Sequence, residues 1–490
     1  MNDRRSVDLL VIGSGPAGQK SAIQGAKMGK RVILVEQEPT VGGSCVHYGT
    51  IPSKTLRETA VSLAGFQRRS GNVFEVGLRE DLQMASLMTR LEQVVKAHQQ
   101  FMAAQLERNG IQMWHGRARF VSPHDVEVLS IGGGRQAVSA SIIVVATGSR
   151  PRNPENIYID HENLLDSDSI LSMVYLPVSL AVLGSGVIAS EYASIFASLG
   201  VKVVMIDRYP RPLGFVDPEL VDRFLEAFRA RGGTYLGNRK VKQSAWDGIS
   251  SVITTLEDGE EVRTDKLLFA LGRVANVEGL DIQNAGLEID SRGLLPVDDS
   301  CRTLVPHIFA AGDVIGPPSL AASSMEQGRR AVCRAFGVEL GVPPEMIPAG
   351  IYTIPEISTV GLTEAQVTEK YGSALVGRAS FAELARGQIA AIQEGMIKLV
   401  SDANGRKILG VQIIGEGASE LIHVGQMAIL HGADVDAFVD NIFNFPTLAE
   451  GYRVAALDIV RQRKEKLLGV PLESALSPFE PPPKPQEVNS

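Results

Sequence analysis

Two glycine-rich turns, each followed at the same distance by an acidic residue, carry the clearest chemical signal in the chain. The first turn occupies residues 13–18 and precedes Glu36, and the second occupies residues 184–189 and precedes Asp207. In both copies the acid comes 23 residues after the first glycine. Such a turn lets the backbone approach a pyrophosphate, and the acid accepts hydrogen bonds from a ribose. One copy would be weak evidence, but two copies with the same spacing predict two dinucleotide-binding sites.

Apolar runs place each turn between a strand and a helix. Residues 7–12 and 31–36 are typical of strands on either side of the first unit, and residues 180–183 and 201–207 have the same pattern in the second. The helix that begins at each turn directs the positive end of its dipole toward bound phosphates. The chain is therefore expected to contain the strand–turn–helix–strand unit of dinucleotide-binding domains twice.

A further chemical signal surrounds Cys45. A dithiol cycle needs two sulfurs close enough to bond, but the residue five positions later is Thr50. The chain has three cysteines in all, and the other two, Cys301 and Cys333, are distant in sequence. A local disulfide cannot form in this segment.

Residues 42–54 resemble the redox-active segment of the flavin-dependent disulfide reductases, in which a second cysteine stands in place of Thr50. That family also carries a histidine that exchanges protons with the thiols. This chain has Phe445 at the matching position, although residues 446–447 and Glu450 agree with the family pattern. A phenyl ring cannot carry a proton, so both departures indicate that the flavin machinery is kept and the disulfide relay is lost.

Several longer runs narrow the resemblance further. They are residues 45–54, 166–173, 192–196, 350–358 and 443–456, and they look like the soluble, Si-specific pyridine nucleotide transhydrogenases. The resemblance implies an FAD-dependent enzyme that transfers a hydride reversibly between NADPH and NAD+ through reduced flavin, with ping-pong kinetics and no redox disulfide. It also implies a homodimer or larger homo-oligomer whose small-molecule partners are NAD(H) and NADP(H).

The implied fold is α/β, with two Rossmann-like domains, the second inserted in the first, and an α+β dimerisation domain at the C-terminus. The chain length suits about three domains. The expected order is residues 1–150 for the first part of the FAD-binding domain, 151–272 for the NAD(P)-binding domain, 273–345 for the second part of the FAD-binding domain, 346–467 for the dimerisation domain, and 468–490 for a proline-rich, weakly ordered tail.

The same matches supply the expected site residues. The catalytic candidates are Lys54, Glu191 and Cys45, and the first two match an ion pair beside flavin N5, where a cation stabilises negative charge. No metal site is expected. The expected cofactor-binding residues are Gly13, Gly15, Gly18, Glu36, Gln37, Gly42, Gly43, Cys45, Lys54, Ala118, Thr147, Gly148, Gly184, Gly186, Ala189, Glu191, Asp207, Arg208, Gly272, Gly312 and Asp313.

Some of these residues have a second interpretation. Asp313 is expected to accept a hydrogen bond from a ribityl hydroxyl, but an Asp in this place could also cap a helix. Cys45 could be an acidified, redox-active thiol or could simply pack near the flavin ring. Asp207 suits a free ribose 2′-hydroxyl, while Arg208 could meet a 2′-phosphate; Arg211 is as well explained as a surface charge.

Composition excludes several other classes of protein. A formal net charge of -8 gives no basic surface for nucleic acid. No stretch approaches the ~18 apolar residues of a membrane span, and the few cysteines fit a cytoplasmic location. Three alternatives remain: an NAD(P)H diaphorase, oxidase or quinone reductase; a dihydrolipoamide dehydrogenase, against which Thr50 and Phe445 argue; and a non-catalytic, redox-sensing flavoprotein.

Overall fold

The computed structural model describes residues 5–70, 84–154, 157–341 and 346–468. The chain divides into two compact units. One consists of Met1–Ser358 with Ile414–Ser419, and the other of Thr359–Ile413 with Glu420–Ser490. The proline-rich tail expected at 468–490 lies, except for its first residue, outside the described residues.

The N-terminal unit contains the two predicted nucleotide-binding folds. Its strands are β1 (Arg5–Ile12), β2 (Val32–Glu36), β3 (Gln112–Phe120), β4 (Asp125–Ser130), β5 (Arg135–Val145), β6 (Ser149–Pro151), β7 (Leu164–Asp166), β8 (Ser179–Leu183), β9 (Lys202–Ile206), β10 (Thr234–Leu236), β11 (Val241–Trp246), β12 (Val252–Leu256), β13 (Glu261–Thr264), β14 (Lys266–Phe269), β15 (Arg273–Ala275), β16 (Ile308–Ala310) and β17 (Ala349–Ile351). Its helices are α1 (Pro16–Lys27), α2 (Gly43–His47), α3 (Thr50–Ser70), α4 (Met84–Arg108), α5 (Val187–Ser198), α6 (Pro218–Ala230) and α7 (Ala321–Ala335).

The first sheet places β1 at its centre. Strand β1 pairs in parallel with β2 and β5, where Leu9 lies opposite Val32 and Ile142. Strands β3 and β16 extend the parallel set on either side, while β4 runs antiparallel to β3 and to the first half of β5. The Val, Ile and Leu side chains of β1, β2 and β5 are largely buried, as expected for parallel strands covered on both faces.

The second sheet repeats this arrangement with β8 at its centre. Its five strands are parallel in the order β10, β9, β8, β14, β7. A short antiparallel pair, β6 with β15, joins the two folds where the chain leaves the first and returns to it, and Arg150 lies opposite Val274. The predicted α/β class with one Rossmann-like fold inserted in the other is confirmed.

The C-terminal unit is built on a further sheet with helices. Its elements are β18 (Ile357–Gly361), α8 (Glu364–Tyr371), β19 (Leu375–Ser380), α9 (Ala385–Ile389), β20 (Met396–Ser401), β21 (Ile408–Ile414), α10 (Ala418–Leu430), α11 (Asp436–Asp440) and α12 (Glu450–Leu468). Strand β19 pairs antiparallel with β20. Helix α12 packs closely on β19, since a Cβ atom added at Gly377 would lie 1.8 Å from the Ala455 carbonyl oxygen. Within the described part of the chain, no helix combines the length and apolarity needed to cross a membrane.

Candidate nucleotide and redox site

The first glycine turn requires glycine at two positions for steric reasons. Gly13 has φ +102°, and a Cβ atom there would lie 2.4 Å from the Ala146 carbonyl oxygen. A Cβ atom at Gly18 would lie 1.8 Å from the Gly13 carbonyl oxygen. The turn therefore brings α1 against the ends of β1 and β5, which is the close packing expected of a dinucleotide fingerprint.

Glu36, the last residue of β2, is buried beside this turn and accepts three hydrogen bonds. One carboxylate oxygen accepts hydrogen bonds from the Ser14 backbone N–H at 2.9 Å and the Ser14 hydroxyl at 2.5 Å. The other oxygen accepts the Glu38 N–H at 2.9 Å. The Ser14 hydroxyl oxygen in turn accepts the Gly42 N–H at 3.0 Å. The acid thus holds the glycine turn and the segment before α2 together.

The start of α1 fits an anionic ligand. Its N-cap, Gly15, has no side chain to satisfy the first backbone N–H groups, and the first turn carries no acidic residue. Uncapped N–H groups and the helix dipole together favour phosphate oxygens. A Cβ atom at Gly43 would lie 2.9 Å from the Gly15 Cα atom, so a second glycine loop closes over the same place without side chains. The donor set and the open backbone suit the diphosphate of a dinucleotide.

Two further predicted segments meet this site. Thr147 donates its hydroxyl hydrogen bond to the Asn276 carbonyl oxygen at 2.6 Å, and Gly148 follows with φ +69°. Gly312 has φ +83°, and a Cβ atom there would lie 3.2 Å from the Ala17 side chain, which places it beside the start of α1.

Asp313 does not cap the short 3₁₀ turn that it begins. The N-cap of that turn is Gly312, without a side-chain cap, and the Asp313 carboxylate accepts a hydrogen bond from the Ser149 hydroxyl at 2.7 Å. Arg273 holds Ser149 through both its hydroxyl and its carbonyl oxygen, at 2.8 and 2.7 Å. The helix-capping interpretation of Asp313 is therefore wrong, and its carboxylate is free to accept a further hydrogen bond through the remaining lone pairs.

Cys45 faces Thr50 and has no sulfur partner among the described residues, because Cys301 and Cys333 are also free thiols. Burial raises the pKa of the Cys45 thiol, and the hydrogen bond with Thr50 and the positive charge of Lys54 only partly oppose this. Helix α2 is a single short turn. The surroundings provided by the protein therefore disfavour the thiolate, which weighs against the acidified thiol considered from the sequence.

Lys54 and Glu191 form an ion pair between α3 and α5. The Lys54 Nζ atom lies 2.6 Å from a Glu191 carboxylate oxygen, and the side chains are 25% and 5% exposed. The second Glu191 oxygen accepts the Tyr352 backbone N–H at 2.8 Å. The Lys54 ammonium also lies 4.8 Å from the centre of the Tyr352 ring, a favourable cation–π distance. The ammonium is thus fixed in position while still partly accessible.

A second, fully buried ion pair lies one helical turn further along α3. Arg57 contacts Glu356 at 3.0 Å, with side chains 7% and 6% exposed, and donates to the Thr353 carbonyl oxygen at 3.1 Å. Residues 352–356 are therefore anchored to α3 at two points. Neither Arg57 nor Tyr352 was predicted as a site residue from the sequence, although the spacing of Lys54 and Arg57 by three residues indicates that both lie on one face of α3.

The second glycine turn opens onto a cavity of about 990 Å³. Gly184 has φ +111°, and a Cβ atom there would lie 2.5 Å from the Ala270 carbonyl oxygen, which repeats the geometry of the first turn. Helix α5 likewise begins at an uncapped glycine with no acid in its first turn. Predicted residues that line the cavity are Gly184, Gly186, Asp207, Arg208 and Gly272.

Asp207 resembles Glu36 in its contacts but is less enclosed. One oxygen accepts the Ser185 hydroxyl at 2.9 Å and the other accepts the Tyr209 N–H at 3.1 Å. Arg208 lies over the Tyr209 ring, with its guanidinium carbon 4.9 Å from the ring centre. Arg211 lines the cavity too, but it forms a half-exposed ion pair with Asp222 at 3.0 Å. The described structure thus favours a surface-charge role for Arg211.

The remaining predicted residues lie at the margins. Gln37 is exposed just after β2. Ala118 is buried in β3 opposite Val128. Ala189 is fully buried within the first turn of α5, so the second unit accommodates a methyl group where the first needs Gly18.

Val187, the first residue of α5, also lines the cavity. We expect Val187→Tyr to lower kcat for hydride exchange about tenfold, because an aromatic ring would block the opening through which successive nucleotides exchange. Steady-state kinetics with both nucleotides measure this, and Val187→Leu controls for altered packing. An unchanged kcat in the tyrosine variant would contradict the gating role.

Comparisons with known proteins agree with this geometry. Residues 7–328 match the model for pyridine nucleotide-disulphide oxidoreductases, and residues 347–456 match the dimerisation domain of the same proteins. The chain is 42% identical over 462 residues to a soluble pyridine nucleotide transhydrogenase of Mycobacterium tuberculosis, covering 94% of this chain and 98% of the relative. It is 40% identical to another from Hahella chejuensis, covering 92% and 97%.

Solved structures of two flavoproteins superpose closely on this chain at lower sequence identity. The HOCl-induced flavoprotein disulfide reductase RclA from Escherichia coli superposes with a TM-score of 0.83 at 26% identity. LpdA from Mycobacterium tuberculosis superposes with a TM-score of 0.84 at 26% identity. Each superposition covers 92% of this chain and 99% of the other.

Proposed function

We propose that this chain, which belongs to the pyridine nucleotide-disulphide oxidoreductase family, is an FAD-dependent pyridine nucleotide transhydrogenase that moves a hydride reversibly between NADPH and NAD+. The observation that carries the proposal is the pairing of Cys45 with Thr50, in a site where both dinucleotide turns are intact. Electrons that enter through a nucleotide find no disulfide among the described residues, which favours their exit through a second nucleotide. The sequence resemblance to soluble pyridine nucleotide transhydrogenases is confirmed by the curated relatives.

The residues around the first turn fit FAD. We assign the diphosphate to the Gly13–Gly18 turn and to the N–H groups at the start of α1, the adenosine ribose to Glu36, and a ribityl hydroxyl to Asp313. When bound, FAD supplies the acceptor and donor of the hydride. The protein positions the carboxylates that would bind FAD. The Ser149 hydroxyl, itself held by Arg273, donates a hydrogen bond to Asp313, and the Ser14 hydroxyl donates one to Glu36.

Lys54 and Glu191 are assigned to charge stabilisation at the reacting centre. A cation that is already fixed costs no reorganisation during the reaction. Glu191 is held by the Tyr352 N–H on one oxygen and holds the Lys54 ammonium on the other. The pair therefore places one positive charge accurately, and Arg57 with Glu356 keeps the Tyr352 segment in place.

A single cavity receives both nicotinamide nucleotides in turn, which gives ping-pong kinetics. Asp207 suits the free 2′-hydroxyl of NAD(H), and Arg208 suits the 2′-phosphate of NADP(H). The presence of both at one cavity wall supports the use of both nucleotides.

The assembly and location are further parts of the proposal. The match to a dimerisation domain supports a homodimer or a larger homo-oligomer. The free thiols of Cys45, Cys301 and Cys333 fit the reducing cytoplasm.

Steady-state transfer of hydride from NADPH to thio-NAD+ tests the proposed function. Oxygen, a quinone and lipoamide serve as competing acceptors in parallel assays. We expect the nucleotide pair to give the highest kcat/KM. A quinone or oxygen rate that exceeds the thio-NAD+ rate would instead identify a diaphorase or oxidase, and no flavin turnover with any acceptor would identify a non-catalytic flavoprotein.

The substitution Cys45→Ser tests whether the Cys45 thiol takes part in hydride exchange. Burial raises the pKa of the Cys45 thiol, so we expect the thiol to stay protonated near pH 7 in the wild type. We expect Cys45→Ser to keep the hydride exchange rate within about threefold and to leave its pH profile between about pH 6 and 8 unchanged. Loss of exchange in this variant would show that the thiol takes part.

A further inference from the structure

The wall of the nucleotide cavity carries more cations than the sequence analysis considered. Besides Arg208 and Arg211, the segment after β10 contributes Arg239 and Lys240, and Lys242 follows within β11. The Arg239 N–H donates to the Asp207 carbonyl oxygen at 2.9 Å. This bond places the start of β11 directly beside the residue assigned to the ribose.

Most of these cations are already neutralised by acids. Arg239 forms ion pairs with Asp258 and Glu260. Lys240 lies 3.7 Å from Glu257, and Arg211 is paired with Asp222 as described above. An exposed ion pair is weak, but its net charge is zero, so it gives little attraction to a dianionic phosphate at a distance. These pairs contribute little to the choice between the two nucleotides.

Lys242 differs from its neighbours. It is exposed, and its ammonium forms no ion pair or hydrogen bond with any of the described residues. Arg208 is likewise without an acidic partner there and contacts the Tyr209 hydroxyl at 3.0 Å. These are the cavity-wall cations that can offer a full positive charge to a ligand.

A break in the strand register explains why Lys242 reaches the cavity. Val241 pairs with Leu256, and Gln243 pairs with Thr255, so Lys242 is an extra residue in β11. A β-bulge of this kind turns a side chain away from its regular alternation and is common beside functional sites. Val241 and Lys242 consequently both line the cavity, whereas Gln243 does not.

We propose that Lys242, placed by the bulge in β11, is a specificity-determining residue that binds the 2′-phosphate of NADP(H) together with Arg208. The inference rests on the proposed function, because it assigns the substrate contacts of the same cavity. Asp207 would repel a 2′-phosphate, and Arg208 alone only balances that carboxylate. Lys242 adds the charge that makes binding of the phosphorylated nucleotide favourable, while NAD(H) needs only Asp207.

Calorimetric titration of the oxidised holoenzyme with NADP+ and with NAD+ tests the inference, because neither nucleotide reacts with oxidised flavin. We expect Lys242→Gln to weaken NADP+ binding about fivefold and to leave NAD+ binding unchanged. The difference should shrink as salt is raised, since exposed charges are screened. Lys242→Arg should retain NADP+ affinity.

Gln243→Glu is the matched control. It changes the net charge by the same amount as Lys242→Gln, one residue away on the same strand, but outside the cavity lining. We expect it to bind both nucleotides as the wild type does. An equal loss in both variants, an equal loss for both nucleotides, or no loss in Lys242→Gln would overturn the inference. A wild-type holoenzyme that binds neither nucleotide would instead overturn the proposed function.

Discussion

Replacement of Lys54 by methionine is expected to reduce hydride exchange at least about a hundredfold. The described structure fixes this ammonium between the two nucleotide folds, at 2.6 Å from Glu191. Methionine keeps most of the length of the side chain but carries no charge, so negative charge that develops at the reacting centre would lose its stabilising partner. The effect should appear in kcat and kcat/KM alike, because an interaction made only in the transition state is lost.

The same substitution is expected to destabilise the fold, which must be separated from catalysis. Glu191 is 5% exposed and would remain without its cation, at a cost on the order of 3 kcal/mol. Lys54→Met with Glu191→Gln removes both charges and keeps an acceptor for the Tyr352 N–H, so it should recover most of the stability. We expect its exchange rate to stay low. Recovery of the rate together with stability would show that Lys54 is only structural.

Replacement of Thr50 by cysteine is expected to divert electrons into a new disulfide. The Thr50 hydroxyl is near enough to the Cys45 thiol to lower the pKa of that thiol, so a second sulfur in its place would lie close to the first. The oxidised variant should therefore hold a disulfide between Cys45 and the introduced cysteine. Its full reduction should consume about twice as much NADPH per flavin as the wild type, since a disulfide accepts one further electron pair.

Anaerobic titration with NADPH and thiol counting measure this change. Thr50→Ser keeps the hydroxyl and provides the matched control, which should titrate as the wild type. Hydride exchange in Thr50→Cys should fall while the disulfide is being reduced and recover once it is open. A variant that forms no disulfide after mild oxidation would show that the two side chains are not placed as the structure indicates.

Much of the fold follows from local sequence signals. The central strands β1, β2, β8 and β9 begin and end within two residues of the predicted runs, because each is a buried apolar strand bounded by a glycine turn or an acid. The insertion of one fold in the other was visible because the same motif occurs twice.

The contacts that orient the site were harder to foresee. Tyr352 meets Glu191 across a sequence separation of 161 residues, and Arg273 meets Ser149 across 124. Neither pair has a periodic or motif signal, because each depends on how distant elements pack. The bulge at Lys242 is invisible for a related reason, since it depends on pairing between β11 and β12. The contacts of individual site residues therefore require the three-dimensional structure, even though the fold can be predicted from the sequence.

Anaerobic stopped-flow spectroscopy tests the central claim most directly. The flavin is first reduced with one equivalent of NADPH, and the reduced enzyme is then mixed with NAD+. We expect rapid and complete flavin reoxidation with stoichiometric NADH, and no change in the number of free thiols. A reduced flavin that NAD+ leaves unchanged, or reoxidation coupled to the appearance of new thiols, would contradict it.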